Sequence, residues 1–265
     1  MVTQPVDFYA RTVQTRRQGR KLLLLLDYDG TLVEIAPRPE LASPTSALLR
    51  LLARLINCPD YTVVVVSGRP LENLLKLLPI PGLNYLGSHG GESLIFGKPF
   101  PSIGAKSASE EIYGWKKQLA GLLEHLTGWW IEDKPQGFAL HYRQASRVQE
   151  EQLSKIIETW KAKIIDYRSC QVLSGKKVME ILPCGVNKGE AIQKILLSSD
   201  FIGYFPLFIG DDTTDESIFA VIQAQGLSFK VGEAEQPTKA NHFLKNPAQV
   251  QEFLALLATQ GEEKS

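Results

Sequence analysis

The sequence predicts an α/β protein in which a doubly wound parallel sheet is interrupted by an inserted α+β domain. Three observations support this class. Short apolar runs alternate with helical patterns in the first hundred residues, the rhythm changes between about residues 105 and 184, and the strand–helix alternation then resumes. We therefore expect a core made of residues 1–104 and 185–265, and an inserted domain made of residues 105–184.

The first predicted strand lies in the run KLLLLLDYDGTL, from Lys21 to Leu32, where five leucines end at two carboxylates. A short apolar run of this kind is typical of a strand buried on both faces. Residues two apart share a face in an extended chain, so Asp27 and Asp29 project together from its carboxyl end. Because two such carboxylates repel each other, they predict a metal site, an acid–base pair or both. The alternative is an ordinary Asp-Gly surface turn.

The next elements repeat this alternation. Ser43-Pro44 predicts a helix N-cap with proline at the first helical position, and the leucines between residues 48 and 55 lie at helical spacing. The β-branched run from Tyr61 to Val66 predicts a second buried strand, which runs into the polar sequence SGRP from Ser67. Residues 71–86 then predict a helix and a short strand, which ends in GSHGGE.

The inserted region predicts a helix followed by a hairpin, twice over. Predicted helices at 110–126 and 148–164 precede predicted hairpins at 129–143 and 170–182. The core pattern then resumes with a helix at 188–197, a strand at 205–209, a helix at 216–225, a strand at 228–231 and a helix at 248–258.

Composition excludes several partners. Lys+Arg 29 against Asp+Glu 29 leaves no net charge, so we expect neither nucleic acid nor an anionic membrane as a partner. The three cysteines, Cys58, Cys170 and Cys184, show no CxxC spacing and an odd count, which favours reduced thiols in the cytosol. No apolar run approaches the length that crosses a bilayer. We expect a cytoplasmic monomer.

Polar residues follow the carboxyl ends of three core strands and open one core helix. These residues are Asp27 and Asp29, Ser67, Lys188, and the group Asp211, Asp212 and Asp215. In a parallel sheet those ends lie along one edge, so the side chains can converge. In this order the motifs resemble the haloacid dehalogenase superfamily of phosphotransferases, and the resemblance covers nearly the whole chain. It implies a Rossmann-like core.

The resemblance also implies roles for the core residues. Asp27 would attack phosphorus to give an aspartyl-phosphate, and Asp29 would protonate the leaving alkoxide and later take a proton from water. Ser67 and Lys188 would hold the remaining phosphate oxygens.

A divalent ion, Mg²⁺, is the implied cofactor. Its ligands would be Asp27, the backbone carbonyl of Asp29, and Asp211, with Asp212 and Asp215 as supporting ligands.

The stretches YLGSHGGE, IEDKPQGFALHYR and GKKVMEILPCGVNKGEA resemble trehalose-6-phosphate phosphatases. That resemblance implies that the insert is an α+β cap domain that binds the sugar of a small sugar-phosphate substrate. The substrate contacts it implies are Glu132, Lys134, Arg143 and Glu180 on the hairpins, with His89 and Arg69 on the core. Arg69 could bind phosphate or brace its loop.

Several alternatives stay open. Glu132 could be a solvated hairpin residue, Lys134 a turn residue, and His89 a hydrogen-bonded loop histidine. The substrate could be another glycosyl phosphate, such as glucosylglycerol phosphate, sucrose 6-phosphate or mannosyl-phosphoglycerate. A signalling receiver module also uses acidic residues, a Ser/Thr and a Lys, but it lacks the second aspartate of the DxD pair and the insert. A catalytically dead sugar-phosphate sensor is a further alternative, although every chemical residue is present.

Overall fold

The computed structural model describes residues 18–100, 110–164, 170–175, 177–233 and 237–262, together with Thr12, Gln14 and Thr15. The strands are β1 (Leu22–Asp27), β2 (Tyr61–Val66), β3 (Asn84–Gly87), β4 (Glu92–Leu94), β5 (Trp130–Lys134), β6 (Gly137–His141), β7 (Cys170–Gly175), β8 (Val178–Pro183), β9 (Phe205–Gly210), β10 (Leu227–Val231) and β11 (His242–Leu244). The helices are α1 (Ser46–Ile56), α2 (Leu71–Leu77), α3 (Glu110–Leu123), α4 (Arg147–Ile164), α5 (Lys188–Leu197), α6 (Glu216–Ile222) and α7 (Pro247–Glu262).

The chain divides into two compact units. One contains Met1–Ser102 and Asn187–Ser265, and the other contains Ile103–Val186. The predicted insert, 105–184, lies two residues inside the second unit at each end. The first unit is the core unit and the second is the inserted unit below.

The core unit is built on a seven-stranded sheet with the order β11-β10-β9-β1-β2-β3-β4. All neighbouring strands are parallel except β4, which pairs antiparallel with β3. Every residue of β1 is buried, as its leucine run predicts for a strand with two neighbours and two covered faces. The predicted α/β class with a parallel core sheet and an inserted α+β domain is confirmed.

The position of β1 determines where the core motifs meet. Asp27 pairs with Val66 of β2, and Leu26 pairs with Ile209 of β9. The residues that follow these strands, Ser67 and Asp211, therefore emerge on either side of Asp27.

The start of α1 differs from the prediction. Thr45 is the N-cap, and its side chain accepts a hydrogen bond from the backbone N–H of Leu48. Ser43-Pro44 lies just before the cap, so the prediction of Ser43 as N-cap was wrong, because Ser46 is the first residue with helical geometry. The predicted leucine face is confirmed, since the leucines at 48, 51, 52 and 55 are buried.

The inserted unit contains an antiparallel sheet with the order β5-β6-β8-β7. One face carries Phe138, Leu140, Met179 and Ile181, which pack with buried residues of α3 and α4. Lys134 pairs with Gly137, so the first hairpin turns through Pro135 and Gln136. The opposite face is polar, because side chains alternate along each strand.

Among the described residues, no helix has the length and apolar character that crossing a bilayer requires.

Candidate active site

Lys188, the first residue of α5, lies in a buried cluster with two carboxylates. Its Nζ atom lies 2.7 Å from Asp27 Oδ1 and 2.8 Å from Asp215 Oδ1. The Asn187 side chain caps the helix by accepting a hydrogen bond from the backbone N–H of Glu190. Three of the predicted core residues, distant in sequence, are thus in direct contact.

Glycines allow the carboxylates to approach the backbone of neighbouring loops. A Cβ atom on Gly30 would lie 2.3 Å from Asp211 Oδ2, and Gly30 has a φ of +81°. A Cβ atom on Gly210 would lie 2.4 Å from Asp215 Oδ2. Both positions therefore require glycine, and Asp211 lies over the loop that follows Asp27.

These acids fit a divalent cation. Among the described residues, Asp27, Asp211 and Asp215 each offer one oxygen, and these atoms all lie within 4.8 Å of one another. Hard cations such as Mg²⁺ prefer carboxylate and carbonyl oxygen ligands. Lys188 supplies one positive charge against three carboxylates, so the fully ionised cluster has an excess of negative charge.

The cluster perturbs the protonation of its own members. Burial raises the pKa of Asp27 well above its usual value; the charge of Lys188 opposes this shift, and Asp215 and Asp211 add to it. Burial lowers the pKa of Lys188, but the charges of Asp215 and Asp27 outweigh burial and raise that pKa. Lys188 is therefore a charged donor at neutral pH. A cation beside Asp27 would favour its ionised form.

Asp212 and Asp215 have different surroundings. Asp212 is the N-cap of a short 3₁₀ turn, Thr213–Asp215, and its Oδ1 accepts a hydrogen bond of 2.7 Å from the backbone N–H of Thr213. Asp215 Oδ2 accepts one of 3.0 Å from the backbone N–H of Asp212, so both oxygens of Asp215 have protein partners. Asp212 lies outside the group of three carboxylates that could share a cation. The Asp212 side chain faces the turn backbone, and its role as a supporting ligand stays a prediction.

Asp29 is held by Arg69. Arg69 Nε and Nη2 each lie 2.6 Å from one carboxylate oxygen of Asp29, which is a bidentate pair. Arg69 also donates to Asn73 Oδ1 and to the carbonyl oxygen of Pro39. The guanidinium is buried and 5.0 Å above the ring of Tyr28. Of the two roles open for Arg69, these contacts favour bracing, and its predicted contact with substrate stays a prediction.

Ser67 and His89 lie beside each other at the ends of β2 and β3. The backbone N–H of His89 donates to the carbonyl oxygen of Ser67, and a Cβ atom on Gly68 would lie 2.5 Å from His89 Nε2. Ser88 and His89 have φ values of 48° and 53°, which are uncommon outside glycine. Glu92 secures this strained turn, since its Oε2 lies 2.5 Å from Ser88 Oγ.

The polar face of the inserted sheet carries the predicted sugar contacts. Glu132 pairs with Ala139 of β6, which in turn pairs with Glu180 of β8, so the two glutamates flank a small residue on the same face. Glu180 Oε1 lies 2.5 Å from Lys134 Nζ, and both side chains are buried. The structure thus brings Glu132, Lys134 and Glu180 together. Arg143 lies in the turn after β6 and is half-buried.

Glu132 has a further partner in His141. His141 Nε2 lies 2.9 Å from Glu132 Oε2, and the imidazole stacks on Trp130 with ring centroids 4.0 Å apart. Burial alone raises the pKa of Glu132, but the hydrogen bond from His141 and the charge of Lys134 outweigh burial, so the pKa lies below its usual value. Glu132 is therefore an ionised acceptor at neutral pH.

Sequence reasoning missed two of these relationships. The pairing of Asp29 with Arg69 could have been inferred, because both residues follow adjacent parallel strands. The contact of His141 with Glu132 follows from the hairpin register, in which His141 pairs with Trp130, two residues before Glu132.

Comparisons with known proteins find relatives over most of the chain. The profile of the Trehalose-phosphatase family matches residues 25–248. The trehalose-6-phosphate phosphatase of Escherichia coli K12 is 32% identical over 260 residues, which cover 95% of this chain and 92% of that protein. A bifunctional trehalose-6-phosphate synthase/phosphatase of Thermoproteus tenax is 36% identical over 230 residues; the match covers 81% of this chain but only 29% of that longer protein. The structure of the C. albicans trehalose-6-phosphate phosphatase C-terminal domain has a TM-score of 0.86 at 25% identity, over 95% of this chain and 97% of that one.

Proposed function

The chain belongs to the trehalose-phosphatase family of phosphoric monoester hydrolases, and from this premise we propose that it hydrolyses trehalose 6-phosphate to trehalose and phosphate. The observation that carries the proposal is the buried contact of Lys188 with Asp27 and Asp215 beside Asp211. This cluster holds a nucleophile, a cationic phosphate ligand and cation-binding oxygens in one place.

Asp27 is the nucleophile in this mechanism. One of its oxygens attacks phosphorus, the bond from phosphorus to the sugar oxygen breaks, and an aspartyl-phosphate forms. Water then attacks this phosphorus, which returns the carboxylate and releases phosphate. Burial of Asp27 supports this role, because a desolvated carboxylate attacks without first losing a hydration shell.

Asp29 is the general acid and base. It begins the cycle protonated, donates this proton to the departing sugar oxygen, and takes one back from the attacking water. Arg69 fixes the orientation of the ionised form between these two transfers through two parallel hydrogen bonds, so we assign Arg69 as a positioning residue. Ser67 and Lys188 donate hydrogen bonds to the phosphoryl oxygens, where negative charge is held during transfer.

Asp27, Asp211 and the backbone carbonyl of Asp29 would hold Mg²⁺, and Asp215 would support the site through Lys188 and the backbone of Asp212. When bound, the cation neutralises part of the charge on phosphate and nucleophile.

The inserted unit supplies sugar recognition in this proposal. Glu132 and Glu180 accept hydrogen bonds from sugar hydroxyls, and Lys134 and Arg143 donate them, with His89 contributing from the core. A hydroxyl-rich neutral disaccharide suits acceptors and donors placed on one face of a sheet.

We place the reaction in the cytoplasm, because Cys58, Cys170 and Cys184 are all free thiols. We further propose that the monomer is the active form, which sedimentation of the active enzyme tests.

Phosphate release from a panel of sugar phosphates tests the function. With Mg²⁺ present, trehalose 6-phosphate should be hydrolysed at least tenfold faster, by kcat/KM, than sucrose 6-phosphate, glucosylglycerol phosphate or mannosyl-phosphoglycerate. EDTA should abolish turnover, because the charge on phosphate is no longer neutralised, and added Mg²⁺ should restore it. Preference for another sugar phosphate would reassign the substrate, and full turnover in EDTA would remove the metal from the mechanism.

A further inference from the structure

Lys230 is a buried lysine for which the mechanism above has no use. It lies in β10, where it pairs with Gly210 of β9, the residue immediately before Asp211. Only 9% of its surface is exposed. Lysine is almost never buried to this extent unless its ammonium group has partners that compensate for the loss of water.

The partners of Lys230 lie on the acidic loop itself. Its Nζ donates a hydrogen bond of 2.8 Å to the backbone carbonyl oxygen of Asp212, and Glu216 Oε1 lies 3.7 Å away. The ammonium group also lies 5.8 Å from the centroid of the Phe219 ring. Glu216 in turn accepts hydrogen bonds from Thr238 Oγ1 at 2.7 Å and from the backbone N–H of Lys239 at 2.8 Å.

Lys230 therefore holds the backbone of the loop that connects Asp211 to Asp215. Lys230 donates to the backbone carbonyl of Asp212, and Asp215 Oδ2 accepts from the backbone N–H of Asp212. Both backbone polar groups of Asp212 are therefore fixed. The loop also concentrates negative charge, with Asp211, Asp212, Asp215 and Glu216 within six residues. Two buried ammonium groups oppose the repulsion among these carboxylates: Lys188 contacts Asp215, and Lys230 lies on the other part of the loop, beside Asp212 and Glu216.

We propose that Lys230 is a positioning residue of the divalent-cation site: it holds the backbone after Asp211 and thereby sets where the Asp211 carboxylate lies. The proposal rests on the metal site of the proposed function. Residues behind the direct ligands of a metal commonly change its affinity by 10–100-fold when they are replaced. The contacts of Lys230 are with Asp212, Glu216 and Phe219 rather than with the nucleophile, so its loss should weaken metal binding and leave the chemical step largely intact.

The test compares Lys230→Met, which keeps the length of the side chain, with Lys239→Met as a matched control. Lys239 is exposed and contacts Glu216 of the acidic loop through its backbone N–H, so its replacement removes a nearby charge but keeps that contact. The Mg²⁺ concentration for half-maximal activity should rise at least tenfold in Lys230→Met, with kcat at saturating Mg²⁺ within threefold of the parent. Lys239→Met should shift neither quantity by more than twofold.

A readout without turnover separates this role from the proposed function. Calorimetric titration of Mg²⁺ into the substrate-free enzyme should show the same tenfold loss of affinity, and the Mg²⁺-induced rise in melting temperature should shrink. This titration tests Lys230 even if trehalose 6-phosphate proves not to be the substrate. Unchanged Mg²⁺ affinity in Lys230→Met, or an equal loss in Lys239→Met, would overturn the proposal. If Lys230→Met does not fold, Lys230→Gln is measured against the same criteria.

Discussion

The core and inserted units place charged groups by different means. In the core, Asp27, Ser67 and Asp211 emerge from adjacent strands of a buried parallel sheet, and contacts with Lys188 and backbone groups fix their neighbours. In the inserted unit, charged side chains share one face of a sheet and contact one another, as Lys134 contacts Glu180. Under the proposed function, the core groups act on any phosphate monoester, whereas the groups on the inserted face act only on the sugar. Variants that affect all substrates should therefore map to the core, and variants that affect only the sugar should map to the insert.

The largest expected effect tests the nucleophile. Asp27→Asn should reduce turnover of both trehalose 6-phosphate and p-nitrophenyl phosphate by roughly 10⁴-fold or more, because the amide cannot attack phosphorus. Steady-state kinetics measure the loss, and circular dichroism checks that the fold is kept. Turnover within tenfold of the parent for either substrate would rule out an aspartyl-phosphate.

Arg69 offers a test of positioning within the core. Arg69→Lys keeps the charge but loses the bidentate geometry on Asp29, so kcat should fall about 10²-fold for both substrates, the size expected for a small misplacement of a reacting group. Arg50→Lys, at an exposed position of α1, is the control and should change nothing. A rise in KM for trehalose 6-phosphate with unchanged kcat would instead return Arg69 to a role in substrate binding.

Glu180 tests the inserted face. Glu180→Gln keeps the shape of the side chain but removes the charge that pairs with Lys134, so kcat/KM for trehalose 6-phosphate should fall at least tenfold, about 1.4 kcal/mol. Turnover of p-nitrophenyl phosphate, which has no sugar, should change by less than threefold. Glu150→Gln is a matched control, because Glu150 also pairs with a lysine of the inserted unit, Lys177. Equal losses for both substrates would make Glu180 a structural residue.

The smallest expected effect concerns stability of the inserted unit. The pKa of Glu132 is lowered in the folded protein, so its carboxylate stabilises the fold above the unfolded value, near 4.3, and this contribution is lost as the pH falls through the folded value. Glu132→Gln should therefore destabilise the protein by about 1 kcal/mol at pH 7 and by less at an acidic pH, where the folded carboxyl becomes protonated. Urea unfolding followed by tryptophan fluorescence measures both values, since Trp130 stacks on His141 beside this glutamate. A destabilisation that does not change with pH would contradict the ionised Glu132.

The sequence predicted the order of elements well where long apolar runs end at polar or turn-forming residues. β1 and β2 lie within the runs that predicted them, and α5 has its predicted bounds. Two strands of three residues, β4 and β11, are too short for any periodic signal. The cap of α1 was misplaced because Ser43 and Thr45 are equally good capping residues, and only the backbone distinguishes them.

The sequence predicted which side chains belong to the candidate site, but not which of them contact one another. Polar residues that follow buried strands predicted which side chains converge, because strand ends share one edge of the sheet. Which donor meets which acceptor depends on tertiary neighbours far apart in sequence, as with Arg69 on Asp29. Lys230 had no signal at all, because a single lysine in an apolar strand resembles any half-exposed strand position.

The central place of β1 has a kinetic consequence. Its amides are enclosed by ladders to β2 and β9 on both sides, so their exchange with solvent deuterium requires opening of the whole sheet rather than fraying at an edge. The backbone that carries Asp27 is therefore among the slowest-exchanging parts of the described core. We therefore expect heat inactivation of the chemical step to follow the cooperative melting of this sheet.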